Sequence, residues 1–415
     1  MPICQSGAVR GREAQSGKPG RVFLVLWLVV FMQGMSPGLW LPALTNLLGA
    51  RGWSAWVPLM FMVPPLCSMI SPLLWGALAD QRLAANRLFA WSALVGAVML
   101  GCAFAVLDLG WNPWCFVGFL AAASLFNSPS WGLLATISLA HLGDGVRQFP
   151  RVRVGATFGW IAGGMLTSWV LQADATPLAG YAAAAVRLLC AVMAFALPHT
   201  PPPGRRPDHW WERLGLGAMG MLKQRDHLVF FTVTALFSVP FTAFYMYAPE
   251  QLVVMGDEQP TATMTVAQFT EVACMFLVGS VMTRFRVITV LAWSLGLAVI
   301  RYAMSAWAGL SGDVAWHVVG IALHGVCYTF YFITAQVFLD RRVELGMRAQ
   351  AQGLLAMVSG GVGPLVGAAL CGWLHIACVD SSGAGWESFW SILAGIIVVC
   401  WILLLSFYNG RKTVL

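Results

Sequence analysis

The chain has 415 residues, 59% of them hydrophobic and only 10% charged, with a mean hydropathy of +0.75. So little polar surface could not cover the core of a water-soluble domain of this length, which excludes the soluble classes. The net charge of +7 is spread over seven short segments instead of one patch, which excludes a nucleic-acid face.

The first 21 residues are polar and basic, with no short apolar core leading to a cleavage site, and read as a cytoplasmic tail. Twelve apolar stretches follow, at 22–45, 56–76, 88–107, 114–139, 152–172, 180–198, 228–253, 263–283, 287–309, 314–338, 351–376 and 388–408. A helix needs roughly 20 such residues to cross about 30 Å of hydrocarbon. Of the 24 Lys and Arg, 21 sit in the N-terminal tail, in the C-terminal tail 409–415, or in the gaps after stretches two, four, six, eight and ten. The opposite gaps hold only Arg51, and Arg187 and Arg301 fall inside stretches. Cytoplasmic loops retain Lys and Arg, so both termini are expected in the cytoplasm. Most of the ten Cys lie within spans, where Cys acts as a small hydrophobe. Cys115 and Cys378 fall near the outer face, where one pair is a weak disulfide signal. No Cys/His spacing resembles a metal site, so neither metal nor cofactor is expected.

The loop after span two reads Gly76-Ala77-Leu78-Ala79-Asp80-Gln81-Arg82. It resembles the signature loop of the major facilitator superfamily, G-x-L-x-D-R/K-x-G-R-x-R, in part. Gly76, Leu78 and Asp80 fit, Arg82 falls one place late, and Ala84 replaces a glycine. Asp80 can accept bonds from a neighbouring helix end or an Arg across the inner face, so Asp80 and Arg82 are candidates for a conformational latch. A short solvated turn is the alternative.

Span five places Arg153, Thr157 and Trp160 on one helical face. Arg and Thr offer hydrogen bonds, and Trp offers a flat surface for an aromatic ring. Alternatively, Arg153 anchors the helix at the interface and Trp160 meets lipid. Gly155, Gly159 and Gly163 form a smooth stripe that lets a neighbouring helix approach closely.

From His199 to Asp226 the chain is polar. Pro201-Pro202-Pro203 cannot be a helix interior, and the segment around Trp210 and Trp211 can lie on the inner membrane surface. This linker, 199–226, separates a six-helix bundle over 22–198 from a second over 227–408. The expected fold is therefore all-α and integral to the membrane. Its twelve transmembrane helices form two pseudo-symmetric bundles, the major facilitator architecture, with a substrate site between them near the midplane.

In span seven, Thr242, Tyr245 and Tyr247 line a cavity or belong to an interfacial aromatic belt. Span eight holds the only acidic residue near the centre of a span, Glu271, with Gln268 on the same face. A charge within a span marks function or a structural pair. Glu271 could exchange a proton and accept bonds from substrate hydroxyls, or it could pair structurally with Arg301. In span ten, His324 is the only His well inside a span, among Tyr328, Phe330, Tyr331 and Phe332. It is either a proton carrier or a neutral, hydrogen-bonded ring in an aromatic cluster. Span eleven weakly echoes span five: both are Gly-rich and follow a basic inner loop, span eleven with Gly360, Gly361, Gly363 and Gly367.

Three segments make the chain similar to the bacterial nucleoside:proton symporters, a family within the major facilitator superfamily. Phe149-Pro150-Arg151-Val152-Arg153-Val154-Gly155-Ala156-Thr157-Phe158-Gly159-Trp160-Ile161 resembles F-P-x-x-R-x-W-G-T-I-G-F/W-I. Gln268-Phe269-Thr270-Glu271 resembles Q-x-x-E. Arg348-Ala349-Gln350-Ala351-Gln352-Gly353 resembles R-A-x-A-Q-G. The resemblance implies that Arg153, Thr157 and Trp160 line a nucleoside site, with the aromatic against the base. It implies that Gln268 and Glu271 bind the ribose or base, with Glu271 also coupling to protons. Thr242 and Tyr245 stand where the family has amides, and His324 where it has a tyrosine. Tyr328 keeps a family aromatic, while Thr329 stands where the family has Asp. With that Asp gone, Glu271 and His324 are expected to share the proton role.

The expected function is proton-coupled nucleoside transport by alternating access across a bacterial inner membrane, carried out by a monomer. The expected partners are the nucleoside, protons and the lipid bilayer, with no nucleic acid. The alternatives are a carrier for another polar or aromatic solute, an uncoupled facilitator, or a nucleoside sensor that does not transport. A membrane enzyme would need a nucleophile–base pair or a metal cluster, and the sequence supplies neither.

Overall fold

The computed structural model describes residues 19–142, 145–202, 216–343, 348–380 and 382–408. Within these, the side chains of 19, 72–74, 76–81, 145–147, 150, 216–217, 340–341 and 348–350 lie outside the description. So do residues 1–18 and 409–415 of the expected tails, the amphipathic segment around Trp210, and the side chain of the latch candidate Asp80. Arg82 is described, and it is exposed.

The N-terminal half comprises α1 (Pro19–Trp40), α2 (Leu44–Ala50), α3 (Val57–Gln81), α4 (Ala85–Asp108), α5 (Pro113–Asn127), α6 (Ser130–His141), α7 (Gly145–Met165) and α8 (Leu178–Ala194). The C-terminal half comprises α9 (Arg225–Val254), α10 (Pro260–Met264), α11 (Val266–Arg284), α12 (Val287–Ser311), α13 (Val314–Tyr328), α14 (Thr334–Arg342), α15 (Arg348–Met357), α16 (Gly363–Cys378) and α17 (Trp386–Phe407). Single π turns at Leu166–Val170, Thr329–Ile333 and Val358–Val362 interrupt spans five, ten and eleven. Such turns arise where an extra residue is squeezed into a helix, often beside a functional site.

Nine helical stretches among the described residues are long and apolar enough to cross a membrane. Spans four, five and six fall short for local reasons. Span four is broken at Ser128-Pro129, span five is diluted by glycine and hydroxyl residues, and α8 has 17 residues. Two boundaries correct the sequence expectation. Span one continues through α2 to Ala50, and span five begins at Gly145 instead of 152, so that Arg151 too is helical. A helix runs past the hydrocarbon edge until something breaks it, and long basic side chains can extend toward water from its last turns. All nine described cysteines are free, including Cys115 and Cys378.

The glycine stripes set the packing. A Cβ on Gly159 would overlap the Phe31 carbonyl, and one on Gly163 would crowd Met35 and Gly38, so span five lies directly on span one. In the second half, Gly363 faces Ser238 and Ala235, and Gly367 faces Thr242 and Val239, so span eleven lies on span seven. The two halves thus repeat one contact, through small residues that permit close backbone approach. Arg187, only 2% exposed, ties span six to Gln33 of span one and to the Ser130 hydroxyl of span four at 2.7 Å.

The face that bears the linker can be told from the far face. Hydrogen bonds between the halves gather at the far face: the Asn46 amide to the Pro249 carbonyl (3.3 Å), the Thr261 N–H to Asp174 (2.9 Å) and the Ala262 N–H to the Ser168 hydroxyl (2.9 Å). At mid-depth the Ser68 hydroxyl donates to the Gly360 carbonyl (3.3 Å). The molecule is closed on its far face.

Candidate functional site

Beneath that closure, α7 of one half meets α11 of the other. Arg153, Thr157 and Trp160 descend one face of α7, with Arg153 exposed, Thr157 buried and Trp160 half-buried. Across from them, Glu271 is half-buried on α11, with the Thr157 hydroxyl facing its carboxylate and Arg153 supplying the opposing charge. The Arg153 guanidinium also stands 5.6 Å from the Trp131 ring centroid, a contact between spans five and four that sequence spacing does not reveal.

The walls are aromatic. Trp160 meets Tyr245 edge-on, with ring centroids 5.9 Å apart at 62°. Tyr245 and Tyr328 both lie within electrostatic range of Glu271. The Tyr245 hydroxyl is 3.4 Å from His324 Nε2, and the His324 ring stacks on Phe244 at 3.9 Å. Its Nδ1 is buried with no partner among the described residues. Gln268 is 4% exposed, and its Oε1 is likewise buried without a partner. An amide oxygen left without a donor costs free energy unless a water or a ligand supplies one.

Other sequence candidates are occupied. The Thr242 hydroxyl donates to the Ser238 carbonyl (3.1 Å), and its side chain faces Gly367. Thr329 is fully buried at the start of the span-ten π turn, and its hydroxyl reaches the Glu271 carbonyl at 3.5 Å. Tyr247 stacks on His375 (4.2 Å, 5°), and His375 pairs with Glu250 at 3.4 Å. The structural pairing of Glu271 with Arg301 does not form. The Arg301 guanidinium sits 4.5 Å from the Phe244 and Tyr302 centroids and 5.3 Å from that of Phe241, in an aromatic cage. A guanidinium over aromatic faces is stabilised by the ring quadrupoles.

Chemically, the crevice offers a cation, a carboxyl group, an unpaired amide and flat aromatic walls contributed by both halves. That set suits a polar, ring-bearing solute. No group of three or more metal-ligating side chains occurs among the described residues.

A twelve-span major facilitator carrier with a polar, aromatic-walled site between its halves is the class that this fold and site define. The chain belongs to the Nucleoside H+ symporter family, whose family model matches residues 21–413. It is 30% identical to YegT of Escherichia coli (strain K12) over 407 residues, which cover 94% of this chain and 90% of that protein. It is 27% identical to the xanthosine permease of the same organism over 408 residues, 93% and 95% of the two chains. The crystal structure of the nucleoside transporter NupG matches its fold with a TM-score of 0.83, at 22% identity, covering 94% of this chain and all of that one. The peptide-transporter-family protein PepTSo matches with a TM-score of 0.74 at 12% identity, covering 95% of this chain and all of that one.

Proposed function

We propose that this protein moves a nucleoside together with protons by alternating access, with Glu271 as the coupling group. The observation that carries this reading is the convergence of Arg153 and Thr157 of one half on Glu271 of the other. Ionised, Glu271 is attracted across the interface by the Arg153 charge. Protonated, it loses that attraction and can donate to a substrate acceptor. A proton therefore changes the interaction between the halves at the point where the substrate sits, which is what coupling requires.

Trp160 stacks on the base, Tyr245 and Tyr328 form the opposite walls, and Gln268 accepts from a ribose hydroxyl or a base amine. Thr242 and Thr329 shape the wall while their hydroxyls stay on the backbone. His324 joins the proton path through the Tyr245 hydroxyl. Asp80 and Arg82 latch the linker face when it closes.

The bias of Lys and Arg supports a cytoplasmic linker face with both termini in the cytoplasm of a bacterium. The far-face closure then corresponds to an inward-facing state. The bundles over 22–198 and 227–408 rock about the site, joined by the linker 199–226, and one chain suffices.

Uptake of labelled uridine, adenosine and xanthosine into proteoliposomes tests this, with and without an inward proton gradient, beside Glu271→Gln. Gradient-dependent uptake that is lost in the variant is the expected result. Uptake indifferent to the gradient would make the protein a facilitator that lost coupling with Thr329. No nucleoside uptake by folded protein would overturn the substrate assignment.

A further inference from the structure

Where α4 begins and α8 ends, a groove of about 520 Å³ opens on the linker side of the N-terminal half, lined by Asn86, Arg87, Phe195, Leu197 and His199. Its wall is firmly built. The Thr200 N–H donates to the Asn86 side-chain oxygen (3.2 Å), the Thr200 carbonyl accepts from the Ala85 N–H (2.9 Å), and the Thr200 hydroxyl lies 3.1 Å from His141 Nε2. Asn86 and Leu197 are buried, whereas Arg87 and His199 are exposed. Among the described residues Arg87 makes no hydrogen bond or ion pair, and no acidic side chain lines the groove.

One turn along α4 from Arg87, Trp91 meets Phe195 edge-to-face with centroids 5.7 Å apart. These rings are 57% and 53% exposed, so in a membrane they face lipid tails. The groove therefore sets an unpaired guanidinium and an imidazole at the helix ends, directly beside an apolar surface that runs into the bilayer. A free phosphate would use only the first part. A phospholipid would use both.

We propose that this groove binds an anionic phospholipid. Its phosphate is held by Arg87 and His199 beside the positive end of α4, and an acyl chain lies along Trp91 and Phe195. A guanidinium binds phosphate by charge-assisted hydrogen bonds, and basic pockets between spans hold anionic head groups. The site is separate from the transport crevice and does not depend on the substrate assignment.

Native mass spectrometry of the full chain, released from micelles containing phosphatidylglycerol and phosphatidylcholine, tests the proposal. Preferential retention of phosphatidylglycerol is expected. Arg87→Gln should lower its affinity about fivefold, the effect of one basic residue near an anionic surface. His199→Gln should lower it less, and Arg87→Lys should restore most of it. Arg286→Gln, an equal loss of charge at an exposed site in the other half, should leave it unchanged. Equal retention of both lipids, or an unaffected Arg87→Gln protein with a normal melting curve, would overturn the proposal. Displacement by millimolar inorganic phosphate would also overturn it and would define a free-anion site.

Discussion

The Asp174 carboxylate accepts a 2.9 Å hydrogen bond from the Thr261 backbone N–H, so an acidic side chain of one half satisfies the first turn of a helix in the other. The Ser168 hydroxyl donates to the same oxygen (3.0 Å) and accepts from the Ala262 N–H (2.9 Å). First-turn N–H groups have no intrahelical partner, so this clasp supplies bonds that α10 cannot make for itself. It can do so only while the far face is closed.

Asp174→Ala should therefore favour opening of the far face. Leaving a buried donor unpaired costs about 1–3 kcal/mol, enough to shift a two-state balance roughly five- to a hundredfold. Spin labels at Trp111 and Glu258, on opposite halves of a cysteine-free background, would report the change. A second, longer distance population is expected in the variant. An unchanged distribution would mean that the clasp does not hold the closure.

The clasp also marks a limit of what sequence can carry. The spans are legible because an apolar run of about 20 residues has few other fates, and the glycine stripes because small residues at helical spacing favour close packing. Asp174 lies in an ordinary-looking turn, and its partner is 87 residues away. Helical spacing gathers Arg153, Thr157 and Trp160 on one face of α7, and a lone carboxylate in a span singles out Glu271. The same reasoning leaves a structural pairing of Glu271 with Arg301 open, because spacing does not show that Phe241, Phe244 and Tyr302 present their faces to that guanidinium. In space their faces take up the Arg301 charge and leave Glu271 to Arg153. The orientation of the Thr242 hydroxyl is hidden for a related reason. A hydroxyl in a helix can turn back to the carbonyl four residues earlier, and nothing local says that it will.

Trp160 should dominate substrate affinity. Stacking of a base on an aromatic ring contributes about 1–3 kcal/mol, as judged by alanine substitution. Trp160→Ala should raise the apparent KM for nucleoside uptake about tenfold, while Trp160→Phe retains most of the affinity. The edge contact with Tyr245 is lost in the first variant and kept in part by the second. A KM unmoved by Trp160→Ala would remove this ring from the site.

Gly159 should tolerate no side chain. A Cβ there would meet the Phe31 carbonyl and the Met35 N–H, both backbone groups of α1 that cannot rotate aside. Gly159→Val should destabilise the N-terminal half by about 1–3 kcal/mol or more, as overpacking does in a close-packed interior. A clear fall in melting temperature in detergent is expected. Gly118→Ala is the control, since nothing lies within 4 Å of a Cβ placed there. Equal melting of both variants would argue against direct contact between spans one and five.

Among the described residues, the hydrogen bond that links His324 toward the crevice is the one with Tyr245, whose hydroxyl lies 3.4 Å from its Nε2. If the imidazole shares the proton with Glu271, breaking that link should matter as much as removing the ring. Tyr245→Phe and His324→Phe should then flatten the pH dependence of uptake to a similar degree, and the double variant should be no worse than either alone. Glu271→Gln should abolish gradient-driven accumulation entirely. The competing view is that His324 is a packing element, a ring stacked on Phe244 among aromatic neighbours. Phenylalanine would then substitute well, and His324→Phe would keep the normal pH profile. That outcome would leave the proton on Glu271 alone, with Arg153 as its partner across the interface.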